Sequence, residues 1–268
     1  MALSHRSKED ETVKETIQEL IANNYGAELE RVRKLMDSAF AGGASSSHRR
    51  EDKVVFPLLV SCRDITEEVL FAIKDGFGRA ALRATRTMYE CVVIARYLNL
   101  HPEKTSPFLD IFHAEWAKVL QDVPEAGRGT NMDQMIAACV PKYARGKRVS
   151  TRDLDWSERS VHEMAKEAGL LAELHPIAYT LASAYIHPGA MFYLSTLTET
   201  ASDTSENIVQ VSVGTQDAES RYALRNAHDL LLNAVDLRLK YVSTEELLAQ
   251  FGECKADFSK IWGFQPHI

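Results

Sequence analysis

The sequence predicts a mainly all-α protein, a helical bundle that carries one small β-hairpin or strand. Apolar residues recur at three- and four-residue spacings along most of the chain, as they do on the buried face of amphipathic helices. Hydrophobic residues make up 45% of the 268 residues, which is enough for one large core. The alternation of apolar and polar residues that is typical of a strand occurs in a short segment near 205–215.

The composition favours a cytoplasmic protein that does not bind membranes. A net charge of −7 and a pI near 5.8 argue against binding of bulk DNA, although a local basic cleft stays open as an alternative. The polar N-terminus is unlike a signal peptide, and prolines and acidic flanks make the uncharged central stretch a poor membrane span. We expect no metal site, disulfide framework or cofactor, because the four cysteines form no C-x-x-C pair. They are Cys62, Cys91, Cys139 and Cys254.

The first fifty residues are predicted to form a helical arm and a linker. Residues 8–40 have apolar side chains at helical spacing with a break at N-N-Y-G, which indicates a peripheral helix pair or one interrupted helix. The glycine- and serine-rich run 41–50 is typical of a flexible linker. We therefore predict an arm and linker at 1–50, a helical bundle domain at 51–250 and a C-terminal docking tail at 251–268.

Residues 56–100 predict one or two long helices with a break at D-G-F-G, over 75–78. The second half has a narrow, mostly basic stripe, formed by Arg79, Arg83, Arg86 and Glu90. Because Arg86 and Glu90 have apolar flanks and an unpaired buried charge is costly, we expect these two side chains to pair across one helical turn. The pair is either structural, or it presents an arginine that its glutamate orients toward an anionic ligand.

Further helices are predicted along the rest of the chain. They cover 107–123, 132–140, 155–168, 176–187 and 217–240, and S-T-E-E at 243–246 is expected to cap another. The basic run 142–148 is interpreted as a solvated loop. Four large apolar residues of the tail are expected to dock on the domain or, alternatively, to form a partner or dimer contact. They are Phe258, Ile261, Trp262 and Phe264.

The stretch 175–193 is the longest without a formal charge, and it supplies the main candidate site. Two imidazoles, a phenol and a hydroxyl occur in it at four-residue intervals and therefore share one helix face. They belong to His175, Tyr179, Ser183 and His187. Pro188 ends the predicted helix, so His187 lies at the C-terminal end, where an imidazole can bind a ligand or transfer a proton. Alternatively, these groups only satisfy one another and nearby carbonyls in the core.

Two motifs of the chain resemble a widespread bacterial all-helical family of unknown function. The motifs are R-T-M-Y-E at 86–90 and Y-x-x-x-S-x-x-x-H at 179–187, and the resemblance covers about 55–240. It implies a site composed of Arg86, Glu90, Tyr179, Ser183 and His187. That family is similar to the HEPN helical domains, many of which are metal-independent ribonucleases of toxin and phage-defence systems that act as dimers. The resemblance therefore implies a homodimer that acts on RNA in defence or stress response.

The HEPN ribonuclease signature is an arginine and a histidine with four to six residues between them. Arg96 and His101 have this spacing, and so do Arg221 and His228. About two such matches are expected by chance in a chain with this many arginines and histidines. The spacing alone therefore assigns neither pair to a site.

A ribonuclease would instead use His187 as general acid or base and Arg86 to steady the phosphate. The further ligand-binding residues would be Arg79, Arg83 and His175. Two alternatives stay open: a non-catalytic helical module that binds a small anionic ligand or a protein partner, and a purely structural polar network. Catalysis requires that His187 reach solvent beside Arg86, and binding requires an open basic pocket. A structural role requires a closed and fully bonded network.

Overall fold

The fold is that of a computed structural model, which describes eleven segments of the chain. They are residues 19, 25–41, 52–121, 133–134, 144–145, 148–149, 156–169, 171–186, 197–199, 209–211 and 217–268. The described residues are mostly helical, which confirms the predicted all-α class. None of the described helices combines the length and the apolar composition that crossing a bilayer requires.

Eight helices account for most of the described residues. In chain order they are α1 Gly26–Phe40, α2 Asp52–Lys74, α3 Gly78–Leu100, α4 Thr105–Gln121, α5 Val161–Glu167, α6 at 171–186, α7 Asp217–Val242 and α8 Glu245–Trp262. Helix α6 is composite, because a π-helix at His175–Leu181 separates the α-helical turns Leu171–Leu174 and Ala182–Ile186. A short 3₁₀ turn, Pro102–Lys104, joins α3 to α4.

Two short antiparallel ladders accompany the helices. Strand β1 Ala144–Arg145 pairs with β2 Arg148–Val149, and β3 Leu197–Glu199 pairs with β4 Val209–Val211. Strand β4 lies in the segment near 205–215, where alternation predicts a strand. The first ladder lies in and beside the basic run 142–148, which the sequence analysis treats as a loop. Strands of two residues are too short to show alternation, so the sequence does not reveal this ladder.

Helices α2, α3 and α7 form the centre of the bundle. Helix α2 turns into α3 at the predicted break, where Gly76 has a φ of +80°, a conformation that glycine adopts without steric cost. Helix α7 packs against both and is buried on nearly all sides between Ala223 and Leu239. A helix that is covered all round belongs to the interior of a protein, so α7 is the central element of the fold.

Helix α1 is part of the core, in contrast to the peripheral arm predicted for residues 8–40. Its buried stripe packs against α7 and α8 and consists of Leu29, Val32, Leu35, Met36 and Ala39. Helical spacing predicts that a helix has an apolar face, but it does not predict which helices cover that face. The sequence alone therefore did not show that α1 belongs to the core. Apart from residues 19 and 25, the rest of the predicted arm lies outside the described residues, and so does most of the linker. The division of the chain into domains stays a prediction.

A buried ion pair joins α1, α2 and α7. Arg238 donates from Nε to the carbonyl oxygen of Ala39 at 3.1 Å, and its Nη1 lies 3.4 Å from Asp52 Oδ1. Both charged side chains are only 1% exposed. The rings of Phe40 and Phe56 lie against the guanidinium, with centroids 5.6 and 5.0 Å from Cζ. Because a buried arginine needs a counterion and acceptors, this pair determines where the end of α1 meets the start of α2.

Helix α5 begins at Val161, several residues after the start predicted at 155. Ser160 is its N-cap: the hydroxyl accepts from the Glu163 backbone N–H at 3.3 Å, and the Glu163 carboxylate accepts from the Ser160 N–H at 2.8 Å. This reciprocal capping box sets the first turn. Glu158 has a φ of +57°, which a right-handed helix cannot contain, so the helix cannot begin earlier.

Helix α6 is longer at its N-terminus than the helix predicted over 176–187. It begins with Leu171, and its description ends at Ile186. Proline is tolerated where a helix begins, and the prediction therefore takes Pro176 as a first helical residue. In the structure Pro176 is the second residue of the π-helix, after one α-helical turn. His187 and Pro188 lie outside the described residues.

Candidate functional site

Helix α6 runs antiparallel along α3, which brings the two motifs together. At one end His175 contacts Tyr89, and at the other Tyr185 lies against Arg79. The residue numbers rise along α6 while they fall along α3, so the helices run in opposite directions. We call the polar group between these ends the Arg86 cluster. It consists of Arg86, Tyr89, Glu90, His162, His175 and Tyr179.

Arg86 is the centre of the cluster. Its Nη2 lies 3.1 Å from Glu90 Oε1 and donates to the Tyr179 hydroxyl at 3.3 Å. The guanidinium also covers the Tyr179 ring, with Cζ 4.8 Å from the ring centroid, which favours a cation. The spacing of the motif predicts the contact with Glu90, and the fold adds Tyr179. Arg86 is therefore held from its own helix and from α6.

The cluster is half-buried, and its arginine keeps its charge. Desolvation raises the pKa of Glu90, while Arg86 and a hydrogen bond with Tyr179 oppose that effect. Burial alone lowers the pKa of Arg86, but the hydrogen bond to Tyr179 and the negative charge of Glu90 outweigh it, and the pKa is raised. The side chains of Arg86 and Glu90 are 24% and 31% exposed, so a small solute can reach the ion pair.

A hydrogen-bonded chain determines the state of His175. The Tyr89 hydroxyl donates to the carbonyl oxygen of Leu171 at 3.1 Å, and it lies 3.2 Å from His175 Nδ1. Tyr89 has one hydroxyl proton and the carbonyl can only accept, so Nδ1–H must donate to the Tyr89 oxygen. This arrangement leaves the lone pair of a neutral imidazole on Nε2. Burial lowers the pKa of His175, which favours the same neutral form.

His162 completes the cluster from helix α5. Its ring centroid lies 4.5 Å from that of His175, and the electrostatic interaction between the two imidazoles lowers the pKa of His175 further. On the other side the ring of His175 stacks on Tyr179, with centroids 4.8 Å apart and planes at 20°. The imidazole of His175 is thus held between α5, α3 and its own helix, one side chain away from Arg86.

The other arginines of the stripe do not join the cluster. Arg79 Nε lies 3.5 Å from Glu219 Oε1 of α7, and its Cζ lies 5.8 Å from the Tyr185 ring centroid. Arg83, between the two positions, is exposed. The stripe therefore divides into a structural contact at Arg79, a solvated arginine at Arg83 and the motif arginine at Arg86.

Ser183 uses its hydroxyl for its own helix. Its Oγ donates to the carbonyl oxygen of Tyr179, one turn back, at 2.6 Å. Such a bond is common for serine in helices and leaves the hydroxyl no hydrogen to donate to a ligand. Of the five residues that the resemblance carries over, the structure brings Arg86, Glu90 and Tyr179 into one group. The Ser183 hydroxyl bonds the backbone of its own helix instead, and His187 lies outside the described residues.

Neither HEPN-like spacing forms an arginine–histidine pair. Arg96 Nη2 binds Asp236 at 2.9 Å, whereas His101 at the end of α3 binds Glu167 at 2.9 Å. His228 is buried, and its Nδ1 accepts from the indole N–H of a tryptophan. These residues stabilise the fold, as expected if the spacings arise by chance.

The cluster suits an anion better than a metal. In the part of the chain that the structure describes, no three His, Cys, Asp or Glu side chains are arranged to hold a metal ion. Arg86 supplies a charged planar donor and His175 supplies a neutral imidazole with an open nitrogen. Together they can bind an oxyanion and exchange a proton with its protonated form.

Sequence reasoning missed Tyr89 and His162 as members of the cluster. Tyr89 lies inside R-T-M-Y-E, but its apolar neighbours Met88 and Val92 suggest only a core position. His162 follows the Ser160 cap, and nothing in the local sequence connects it to His175. Pairs of aromatic rings on separate helices leave no periodic signal, so only the fold reveals them.

The chain was also compared with known proteins. The model of a family of unknown function, DUF5677, matches residues 52–205, which is more than half of the chain. The matched part includes α2 to α6 and the whole Arg86 cluster. No curated protein and no solved structure matches the chain.

Proposed function

The chain belongs to DUF5677, a family of unknown function, and we propose that its Arg86 cluster binds a small phosphate-bearing ligand. The observation that carries this proposal is the state of Arg86. The guanidinium is charged, partly exposed and held by Glu90 and Tyr179, yet both of its polar contacts use Nη2. A guanidinium has five N–H donors in a planar fork that matches phosphate oxygens. Donors therefore remain for a ligand.

The surroundings of Arg86 support an anion rather than a purely structural role. The Nε atom is buried without a partner among the described residues, and so is His162 Nδ1. A closed structural network leaves few such atoms, because an unsatisfied buried polar group costs about 1–3 kcal/mol. The open Nε2 of neutral His175 beside them can accept a hydrogen bond from a protonated phosphate oxygen without adding charge.

The test is calorimetric titration of the full chain with inorganic phosphate at constant ionic strength. We expect saturable binding that Arg86→Lys weakens about tenfold or more, because lysine keeps the charge but loses the planar fork. Arg83→Lys is the matched control, since Arg83 lies one turn away on the same helix and is exposed. Equal binding by the two variants would remove Arg86 from the site, and no binding by the wild type would leave the cluster structural.

A second candidate function is the metal-independent cleavage of RNA that the HEPN resemblance implies. The observation that favours it is the open Nε2 of a neutral His175 beside a phosphate-binding arginine. An imidazole of this cluster or His187 would take the proton of the ribose 2′-hydroxyl, and the 2′-oxygen would attack phosphorus while Arg86 steadies the phosphate. The bond between phosphorus and the 5′-oxygen would break, the 5′-oxygen would take a proton from a second imidazole or from water, and a 2′,3′-cyclic phosphate would remain.

Incubation of total RNA with the protein in EDTA tests this candidate. Cleavage by the wild type that is lost in His187→Ala or His175→Ala, with unchanged thermal melts, would support a ribonuclease. If the folded wild type leaves RNA intact, the cleavage hypothesis is rejected. The phosphate titration is then unaffected, because binding does not require catalysis.

A further inference from the structure

A pocket with charged and aromatic lining lies where the first turns of α7 meet the end of α8. Its volume is about 440 Å³, within the range of small-molecule sites. Its lining includes Asp217, Arg221, Tyr222, Arg225, Trp262 and Phe264. None of them belongs to the Arg86 cluster, and none lies in the part of the chain that the family model matches. The pocket is thus a separate feature of this chain.

Charged groups line one side of the pocket at helical spacing. Asp217, Arg221 and Arg225 follow one another at four-residue intervals on α7, so they share one face. No carboxylate of the described residues pairs with Arg225, and its Nε is buried without a hydrogen-bond partner. A partly buried guanidinium without a counterion is unfavourable. An anionic group in the pocket would supply that counterion.

Aromatic rings form the rest of the wall. The Arg225 guanidinium lies between two of them, with Cζ 5.3 Å from the Tyr222 ring centroid and 5.7 Å from that of Phe264. Trp262 adds a third ring at the end of α8. A simple inorganic anion needs no aromatic surface, whereas a planar base gains from stacking on such rings. The wall therefore indicates a ligand with an aromatic part as well as a charge.

Contacts outside the pocket fix the positions of Trp262 and Phe264. The Trp262 indole N–H donates to His228 Nδ1 at 3.2 Å, which fixes the ring against α7. Gly263 has a φ of +78° and ends α8, so the chain turns and brings Phe264 to the pocket. Asp229 then accepts from the His267 backbone N–H at 3.0 Å and holds the tail in place. A site with fixed walls requires little ordering on binding.

We infer that this pocket binds a mononucleotide. The phosphate would lie on the guanidinium groups of Arg221 and Arg225, and the base would stack on the aromatic wall. The Asp217 carboxylate on the same face can accept from a ribose hydroxyl or an exocyclic amino group. A single nucleotide is favoured over a nucleic-acid strand, because a chain with a net charge of −7 disfavours an extended polyanion.

The inference is tested by titrating the full chain with AMP, adenosine and inorganic phosphate. Binding is followed by calorimetry and by quenching of tryptophan fluorescence. We expect AMP to occupy one high-affinity site per chain, at least about tenfold tighter than the binding of adenosine or inorganic phosphate, because only AMP engages both halves of the pocket. AMP that binds no better than phosphate would overturn the inference.

Variants then locate the site. Arg225→Gln and Tyr222→Leu are each expected to weaken AMP binding about tenfold or more. Lys240→Gln, which removes an exposed charge near the end of the same helix, should leave it unchanged. Equal effects of Arg225→Gln and Lys240→Gln would refute the assignment. If Arg225→Gln does not fold, Tyr222→Leu decides, since Tyr222 is 41% exposed.

A titration with an oligonucleotide distinguishes a mononucleotide pocket from an RNA-binding surface. Eight-residue oligoadenylate is titrated in the same buffer and in competition with AMP. If oligoadenylate binds each site no more tightly than AMP does, the result supports a mononucleotide pocket. Oligoadenylate that binds more than about tenfold tighter than AMP, and displaces it, would make the pocket part of an RNA surface and overturn the inference.

Discussion

Acidification is expected to destabilise this protein through the buried imidazole of His228. The side chain is 1% exposed, its Nδ1 accepts from the Trp262 indole, and its Nε2 has no partner among the described residues. Burial lowers the pKa of His228 to about 3. The folded protein therefore keeps this imidazole neutral at a pH where the unfolded chain has already protonated it.

The size of the effect follows from proton linkage. A histidine in the unfolded chain has a pKa of about 6.5, so between pH 6.5 and about 3 the unfolded state binds the extra proton. Stability then rises with pH in this window and is lost as the pH falls. At pH 5 the unfolded chain gains RT ln(1 + 10^1.5), or about 2 kcal/mol, for this one site. The folded state gains almost nothing, because pH 5 is well above its own pKa of about 3.

Urea denaturation at pH 7.5 and pH 5.0 measures this difference. His228→Gln is the comparison, because glutamine does not titrate and its amide oxygen can still accept from Trp262. The wild type should lose about 2 kcal/mol more than the variant between the two pH values. His267, whose pKa the hydrogen bond to Asp229 raises, has the opposite pH dependence but is present in both proteins.

The reasoning is refuted if wild type and His228→Gln lose stability in parallel. In that case the imidazole would be hydrated or protonated in the folded state. The hydrogen bond from the Trp262 indole to His228, which fixes one wall of the pocket between α7 and α8, would then not hold as described. Tryptophan fluorescence at both pH values provides the independent check.

Two stability predictions concern other buried or constrained positions. Asp52→Asn should lower the free energy of unfolding by about 3–5 kcal/mol in urea denaturation, because it leaves the buried Arg238 without its counterion. Asp64→Asn, on the exposed side of α2, is the control and should lower it much less. Equal losses in the two variants would contradict the role of the buried ion pair. Gly263→Ala should cost about 1 kcal/mol through its positive φ alone, since no atom lies within 4 Å of the added methyl. Gly252→Ala, inside α8 with the same free space, should stabilise by about 0.5–1 kcal/mol, so a gain in both would refute the backbone argument.

Local chemistry made part of this structure predictable. The four-residue step from Arg86 to Glu90 in an apolar segment predicts an ion pair, and the pair is present at 3.1 Å. The glycine-containing break at 75–78 and the cap at Thr244, whose Oγ1 accepts from the Leu247 N–H at 3.2 Å, follow from the same kind of signal. These features depend on residues within a few positions of each other, so the sequence contains them directly.

Contacts between distant helices were not predictable from the same signals. His162 meets His175, and Glu219 meets Arg79, only because α5, α6 and α7 pack on α3. The start of α5 was placed too early because the left-handed Glu158 has no sequence signature. The Arg86–Tyr179 contact was predictable in part. Each motif is recognisable in the sequence, but the contact forms only because α3 and α6 pack in antiparallel orientation.

The pairing of α1 with α8 also affects how the chain folds during synthesis. Arg31 on α1 donates from Nη2 to Asp257 on α8 at 2.6 Å, across 226 positions. Contacts over such distances form late, because closing a long loop costs entropy. Helix α1 is made before α7 and α8, so its stripe of Leu29, Val32 and Leu35 has no cover until those two helices leave the ribosome. We therefore expect nascent chains to expose this stripe, which would make it a binding site for chaperones on ribosomes stalled before α7.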